Sequence, residues 1–263
     1  MHAYDALAFN TEAGEMIVPS GAQHSMTAAI GAQTDPLWVF DPASQRWRTA
    51  SLPTETPPNF FAAGAEFDPI SKRVYGYGSL ASTSPLLAPA TEFDLPRGGL
   101  WRFDPRTGQW TQLSENTDRI SWFNIETLGA SRQIAVFGGD NQKDDVLTVN
   151  DDGTNWQLVA PTEPTCGGGY YFPAATHAPS GNVLFVPPIS NRQMSTTCIA
   201  DLKNNVTLAL PDANLPWVGL NYTMVYATDL DIFVLVTGSF SRGEPTAVHV
   251  LRLELESLSD GSP

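Results

Sequence analysis

The chain has 263 residues, of which 42% are apolar and 16% are charged, so it can bury a large core without a metal. Its formal net charge of −14 disfavours nucleic acid and anionic lipid surfaces as partners, because both carry negative charge. No apolar run reaches the length of a membrane span and no basic, apolar leader opens the chain, so no membrane insertion is predicted. The 21 glycines and 21 prolines are typical of an all-β protein with many short strands and turns.

In chain order, the strand patterns form five groups of about four strands each. The first group ends with the hairpin pattern Leu37–Thr49, and the second begins after a Pro-rich joint at Leu52–Pro58. The third, fourth and fifth groups follow with shorter connections. The whole of 1–255 is predicted to be one domain, followed by a flexible tail at 256–263. The predicted groups occupy residues 1–51, 59–114, 119–160, 168–211 and 218–255.

The hairpin pattern at Leu100–Leu113 is the clearest copy of a repeated unit. Trp101 and Phe103 alternate with polar residues, as in a strand with one buried face. The turn that follows, 104–108, has Asp to cap it, Pro to fix φ and Gly to take the left-handed position. The same order of residue types returns at 37–49 and, more loosely, at 147–158. One supersecondary unit therefore recurs along the chain.

The spacing of this repeat predicts the architecture. The residues that end the second strand of each group are separated by 57, 60, 50 and 50 positions; they are Gly21, Gly78, Gly138, Pro188 and Gly238. A period near fifty residues with about four strands per unit is that of a β-propeller blade. Stacking such blades around an axis buries both faces of each sheet. The prediction is an all-β propeller of about five four-stranded blades.

Particular residues of the repeat resemble a known family. Phe137-Gly138-Gly139 ends a strand and a Trp follows at the end of the blade, as Trp156 does here. This pattern resembles kelch-type propeller repeats and the propeller domain of galactose-oxidase-like proteins. The stretch Val149–Trp156 is also similar to the Asp-box hairpin of sialidase-like propellers, which is a folding element. The resemblance implies a propeller fold, but the copper site of the galactose-oxidase-like enzymes is not carried over, because its Tyr and His ligands cannot be assigned here.

The fifth group leaves the closure of the ring open. After its third strand, Val248–Leu255, only a short segment rich in Ser, Gly and Pro remains. Three arrangements fit: a five-bladed ring with one incomplete blade, a longer protein with further blades, or a neighbouring chain that lends a strand.

Aromatic residues stand near the start of each predicted inner strand, several of them beside Asn. In a propeller these positions surround one mouth of the central channel, where flat aromatic faces and amides suit sugar rings or peptide side chains. Packing between blades is the alternative role. The candidate ligand-binding residues are Tyr4, Phe61, Trp122, Tyr170, Tyr222, Asn59, Asn124 and Asn221.

No catalytic motif, cofactor fingerprint or metal-ligand spacing is found, so neither cofactor nor metal is predicted. The paired acids in turns, among them Asp151-Asp152, are interpreted as solvated hairpin residues. Glu66 and Glu126 differ, because they lie in inner strands that can face the channel. They are the reserve acid candidates for a carbohydrate-active hydrolase or lyase, which needs two converging carboxyl groups.

Of the two cysteines, Cys166 precedes the inner strand of the fourth predicted blade and Cys198 lies in its third strand, so both can approach the same end of that blade. Spacing alone leaves two readings open, a disulfide or two separate thiols. Two N-glycosylation patterns, at 205–207 and 221–223, favour an extracellular or particle-surface location.

These observations favour a non-enzymatic binding or assembly module. Its expected partners are a protein or a carbohydrate, met through the channel mouth and the long loops 21–35 and 79–99. A carbohydrate-active enzyme and a structural component of a larger particle or multidomain chain are the alternatives.

Overall fold

The structure is a computed structural model of the whole chain. It describes residues 5–18, 37–50, 64–78, 99–115, 123–129, 131–138, 146–159, 166, 173–185, 197–202, 204–210, 222–237 and 246–253. The long loops 21–35 and 79–99 lie outside these residues, apart from Gly99.

Five β-sheets follow one another along the chain as the blades of a propeller, which confirms the predicted fold class. Blade 1 contains β2 (Ala8–Asn10), β3 (Glu15–Val18), β4 (Leu37–Asp41) and β5 (Arg46–Ala50). Blade 2 contains β6 (Gly64–Asp68), β7 (Arg73–Gly78), β8 (Gly99–Asp104) and β9 (Gln109–Ser114). Blade 3 contains β10 (Phe123–Leu128), β11 (Gln133–Gly138), β12 (Val146–Asn150) and β13 (Gln157–Val159).

The last two blades follow the same order. Blade 4 contains β14 (Ala174–His177), β15 (Asn182–Phe185), β16 (Thr197–Asp201) and β17 (Val206–Leu210). Blade 5 contains β18 (Tyr222–Ala227), β19 (Ile232–Thr237) and β20 (Ala247–Leu251). Within each blade, consecutive strands pair antiparallel. Among the described residues blade 5 has three strands, so β20 forms one edge of its sheet.

A short first strand links blades 1 and 2. β1 (Asp5–Ala6) pairs parallel with the start of β6, and one residue later the chain enters β2 of blade 1. Apolar alternation over residues 3–10 predicts one strand there, whereas the structure has two, because alternation does not show which neighbour each half of a strand will pair with. This shared strand joins the two blades at their inner edges.

The turns at one end of the blades share a local design. The residue that ends the strand is Asn or Asp in most of them, and its side-chain oxygen accepts a hydrogen bond from a backbone N–H two or three residues later. In the turn at 104–108, Asp104 Oδ1 accepts from the N–H of Arg106 at 2.9 Å, and Gly108 has a φ of 69°. The predicted turn chemistry of this hairpin is therefore present.

Three clusters of buried residues join neighbouring blades. The first extends over blades 1 to 3, the second connects blades 3 and 4, and the third connects blades 4 and 5. The inner strands of successive blades lie side by side from β2 to β18. Among the described residues, no buried cluster joins blade 5 to blade 1. In the same part of the chain, no helix is long and apolar enough to cross a membrane.

Candidate functional site

A central cavity of about 890 Å³ lies among the inner strands, on the side of the short turns. The inner strands of all five blades contribute residues to its wall. Both reserve acids, Glu66 and Glu126, line it, as do Phe9 of blade 1 and Val225 of blade 5. The structure thus places both glutamates on the wall of one cavity, and the hydrolase alternative requires in addition that their two carboxyl groups converge.

Glu126 is buried and connects blade 3 to blade 4. Its Oε2 accepts hydrogen bonds of 2.9 Å from both the backbone N–H and the Oγ1 hydroxyl of Thr176. Burial raises the pKa of Glu126 to about 7, and the two hydrogen bonds from Thr176 oppose that shift. The side chain can therefore hold a proton near neutral pH, and it also couples two blades.

Glu66 takes the corresponding place in the preceding blade. It lies two residues before the end of β6, as Glu126 lies two residues before the end of β10. Thr127 of β10 then corresponds to Thr176 of β14, since each precedes the last residue of its strand. The same pair of residue types thus recurs at two successive blade junctions, which favours a structural role for both glutamates.

Blade 1 has an apolar face that no described blade covers, and we call it the first-blade face. Strand register places Phe9, Met16, Phe40 and Trp47 of this face in one row and Val18 beside Trp38 in the next row, where Val18 is buried. Phe9 is 50% exposed and Trp47 is 52% exposed, although Trp47 packs its ring against Phe40 and Trp38. The opposite face of the blade is buried against blade 2 through Ile17 and Val39. Both faces of blade 1 are therefore apolar, but only one of them packs against a blade that the structure describes.

Blade 5 has a matching uncovered face, which we call the last-blade face. It consists of Val225, Val234, Val236, Val248 and Val250, which register places in two adjacent rows across the sheet. Val225, Val248 and Val250 are 52%, 62% and 60% exposed. The other face of blade 5 is buried against blade 4 through Met224, Phe233 and Leu235. In a ring of blades, the first-blade and last-blade faces look toward the same position, between the last and first blades.

His177 joins blades 4 and 5 through contacts of its ring and through polar partners for its two ring nitrogens. His177 is buried, and its ring packs against Tyr226 and Phe233. Its Nδ1 lies 2.7 Å from Ser180 Oγ, and its Nε2 lies 3.4 Å from Asp231 Oδ1. The Tyr226 hydroxyl donates to Asp231 at 2.7 Å, and this bond is the main reason why the pKa of Asp231 is lowered. His177 thus has partners for both ring nitrogens within the fold.

A disulfide joins Cys166 to Cys198 of β16. Both residues are buried in the cluster that connects blades 3 and 4. The bridge ties the segment that precedes blade 4 to the third strand of that blade. Of the two readings that the spacing left open, the structure has the disulfide.

Most of the predicted aromatic mouth lies outside the described residues; this applies to Tyr4, Asn59, Phe61, Trp122, Tyr170 and Asn221. Tyr222 begins β18, and only its backbone is described. Asn124 is buried in β10, where its Oδ1 lies 3.0 Å from the backbone nitrogen of Ile125. The aromatic mouth stays a prediction.

Asp151 corrects one expectation from the sequence. The turn pattern predicts a solvated residue, yet the Asp151 side chain is mostly buried and bonded to Arg132, with Nε–Oδ2 at 3.0 Å and Nη2–Oδ1 at 3.1 Å. The pattern of a turn shows that an acid stands at a sheet end, but it does not show that a neighbouring arginine will cover it. Among the described residues, no group of three or more His, Cys, Asp or Glu side chains could hold a metal ion.

Comparisons with known proteins agree with the fold. No family model matches the sequence, and no curated protein matches it. A solved structure, a chain of the nidogen/laminin complex, superposes with a TM-score of 0.50 and 15% identity over 78% of this chain and 68% of that chain. At this identity the likeness is one of fold, and the class that the architecture defines is a five-bladed β-propeller.

Proposed function

We propose that this propeller is a non-enzymatic binding or assembly module whose partner is a protein. The observation that carries the proposal is the pair of apolar faces at the two ends of the row of blades. Each of the other blade faces turned toward a described neighbour contributes to a buried cluster. The first-blade and last-blade faces are also apolar, yet they leave Phe9, Trp47, Val225, Val248 and Val250 half exposed or more.

Exposed apolar surface of this extent is typical of an interaction site. Among the strands that the structure describes, none pairs with the outer edge of β20 beside the last-blade face, and such an edge can accept a strand from a partner. A partner protein that places a β-element between the two faces would bury both of them and complete the sheet of blade 5.

We propose kelch-like repeats as the origin of the blades, and an oxidising compartment as the setting, since a buried disulfide is typical of such compartments.

The test compares two double variants with equal change in apolar exposure. Val248→Lys with Val250→Lys places charges on the last-blade face, so we expect it to abolish retention of the partner. Leu158→Lys with Leu230→Lys is the matched control, because these residues are 58% and 61% exposed, lie on neither face and do not line the central cavity. The measurement is quantitative capture from an extract of the source, followed by light scattering of the purified partner with each variant.

A partner that forms a defined complex with the wild type and with the control, but not with the last-blade variant, supports the proposal. Equal retention by all three proteins contradicts it, and so does the absence of any protein whose retention depends on this face. A stable complex of two copies of this chain, lost in the same variant, identifies the partner as a second copy.

A carbohydrate-active hydrolase is the second candidate, because Glu66 and Glu126 share one cavity and burial raises the pKa of Glu126 to about 7. A protonated and an ionised carboxyl group are what such an enzyme needs. If this function is right, a panel of chromogenic glycosides contains a substrate, and Glu66→Gln and Glu126→Gln each abolish its cleavage. Glu115→Gln, an exposed change outside the cavity, should leave cleavage intact. Cleavage that survives both cavity variants contradicts this candidate.

A further inference from the structure

A second, smaller cleft lies on the face of blade 2 that turns toward blade 3. Its volume is about 380 Å³, and polar side chains form most of its wall. Strand register aligns Tyr75, Arg102 and Thr111 in one row across the blade, with Asp104 and Gln109 in the next row. Arg132 and Asp151 of blade 3 close the opposite side.

Three arginines meet in this cleft, and two of them have carboxylate partners. Arg73 Nη2 lies 3.0 Å from Asp104 Oδ2, and Arg132 bonds Asp151 through two nitrogens. No carboxylate of the described residues lies within ion-pair distance of Arg102, which also lines the cleft. Counting the two paired aspartates against the three arginines leaves one positive charge, in a chain whose formal net charge is −14.

The surroundings of Arg102 suit an anion with hydroxyl or amide neighbours. Thr107, Thr111 and Gln109 place neutral hydrogen-bonding side chains around the cleft. The Tyr75 ring is buried at its base, and its hydroxyl lies 3.4 Å from Ser71 Oγ. A guanidinium group presents parallel N–H donors that match the two oxygens of a carboxylate, and partial enclosure strengthens such a pair relative to one in bulk water.

We propose that this cleft binds a carboxylate, with Arg102 as its principal ligand. The volume fits a single sugar ring or one acidic side chain, so the carboxylate belongs either to a uronic acid or to an acidic residue of a peptide. This site is separate from the first-blade and last-blade faces, and its test does not depend on the proposed assembly role.

The test is a titration of the full chain, followed by NMR or calorimetry, with D-glucuronate and with N-acetyl-L-glutamate. D-Glucose and N-acetyl-L-glutamine are the uncharged controls. We expect saturable binding of at least one carboxylate and weaker binding of its uncharged counterpart. Arg102→Gln should weaken carboxylate binding by about tenfold or more, since it removes a charge-assisted pair.

Two further variants make the outcome specific. Arg102→Lys keeps the charge but loses the paired donors, so it should bind with intermediate affinity. Arg46→Gln makes the same change of charge on an exposed residue of blade 1 and should bind like the wild type. Binding of glucuronate alone assigns a uronic acid, and binding of N-acetyl-L-glutamate alone assigns an acidic side chain. Absence of saturable binding of both, or equal binding by the wild type and Arg102→Gln, overturns the proposal.

Discussion

Replacing both cysteines with alanine, Cys166→Ala with Cys198→Ala, is expected to lower the free energy of unfolding by about 3–4 kcal/mol. The bridge spans 32 residues, so its loss gives the unfolded chain a large gain in conformational freedom. Alanine is small and apolar, and both cysteines lie in a buried cluster, so the substitution adds no buried polar group. Urea unfolding of the wild type and the variant, with and without reductant, measures the difference.

The double variant has no cysteines, so it controls for any effect of the reductant other than reduction of the disulfide. Reductant should lower the unfolding midpoint of the wild type to that of the double variant and leave the variant unchanged. Two titratable thiols in the unfolded wild-type protein, without reductant, would contradict the disulfide. An unchanged midpoint in the double variant would contradict the proposed contribution of the disulfide to the free energy of unfolding.

The hairpins could be predicted from the sequence because their causes are local. In the stretch 100–113, alternation defines the strands, and Asp104 and Gly108 supply the turn within five residues of each other. The same logic, applied five times at similar spacing, was enough to predict a propeller. Each unit exposes a sheet face alone, so only radial stacking can bury all of them.

The features that sequence patterns missed depend on contacts between distant segments. Alternation shows that blade 5 has two apolar faces, but it does not show that one of them lacks a described neighbour. Asp151 and Arg132 meet across 19 residues, and Arg102 joins them from another blade. Glu66 and Glu126 occupy equivalent positions in the inner strands of two successive blades, and the inner strand of the blade that follows each of them has a Thr before its last residue. Aligning the repeats would have shown this recurrence, which indicates the shared cavity.

The second large effect concerns Glu126 and its pH dependence. Its pKa is raised from 4.5 to about 7 in the folded protein, with burial as the main cause. Below pH 4.5 the carboxyl group is protonated in both the folded and the unfolded chain, so its favourable contribution is fully present. As the pH rises toward 7, the unfolded chain loses this proton first, and the contribution is lost. A shift of this size corresponds to about 3 kcal/mol.

Glu126→Gln should therefore flatten the fall in unfolding free energy between pH 4.5 and 7. Glutamine does not titrate, and its side-chain oxygen can still accept a hydrogen bond from Thr176. Glu66 and Tyr226 are the other titratable side chains among the described residues of the cavity wall, and both are present in either protein. The difference between the two stability curves thus reports Glu126 together with its interaction with neighbouring titratable groups.

Urea unfolding at a series of pH values measures both curves, and Glu115→Gln controls for the loss of one negative charge at an exposed position. The control should reproduce the wild-type slope, even if its absolute stability differs. If Glu126→Gln also keeps that slope, the pKa of Glu126 is the same in the folded and the unfolded chain, so its carboxyl group is ionised near neutral pH in the folded protein. In that case the protonated acid that the hydrolase candidate requires would be missing as well, so one experiment bears on both the blade junction and the chemistry of the cavity.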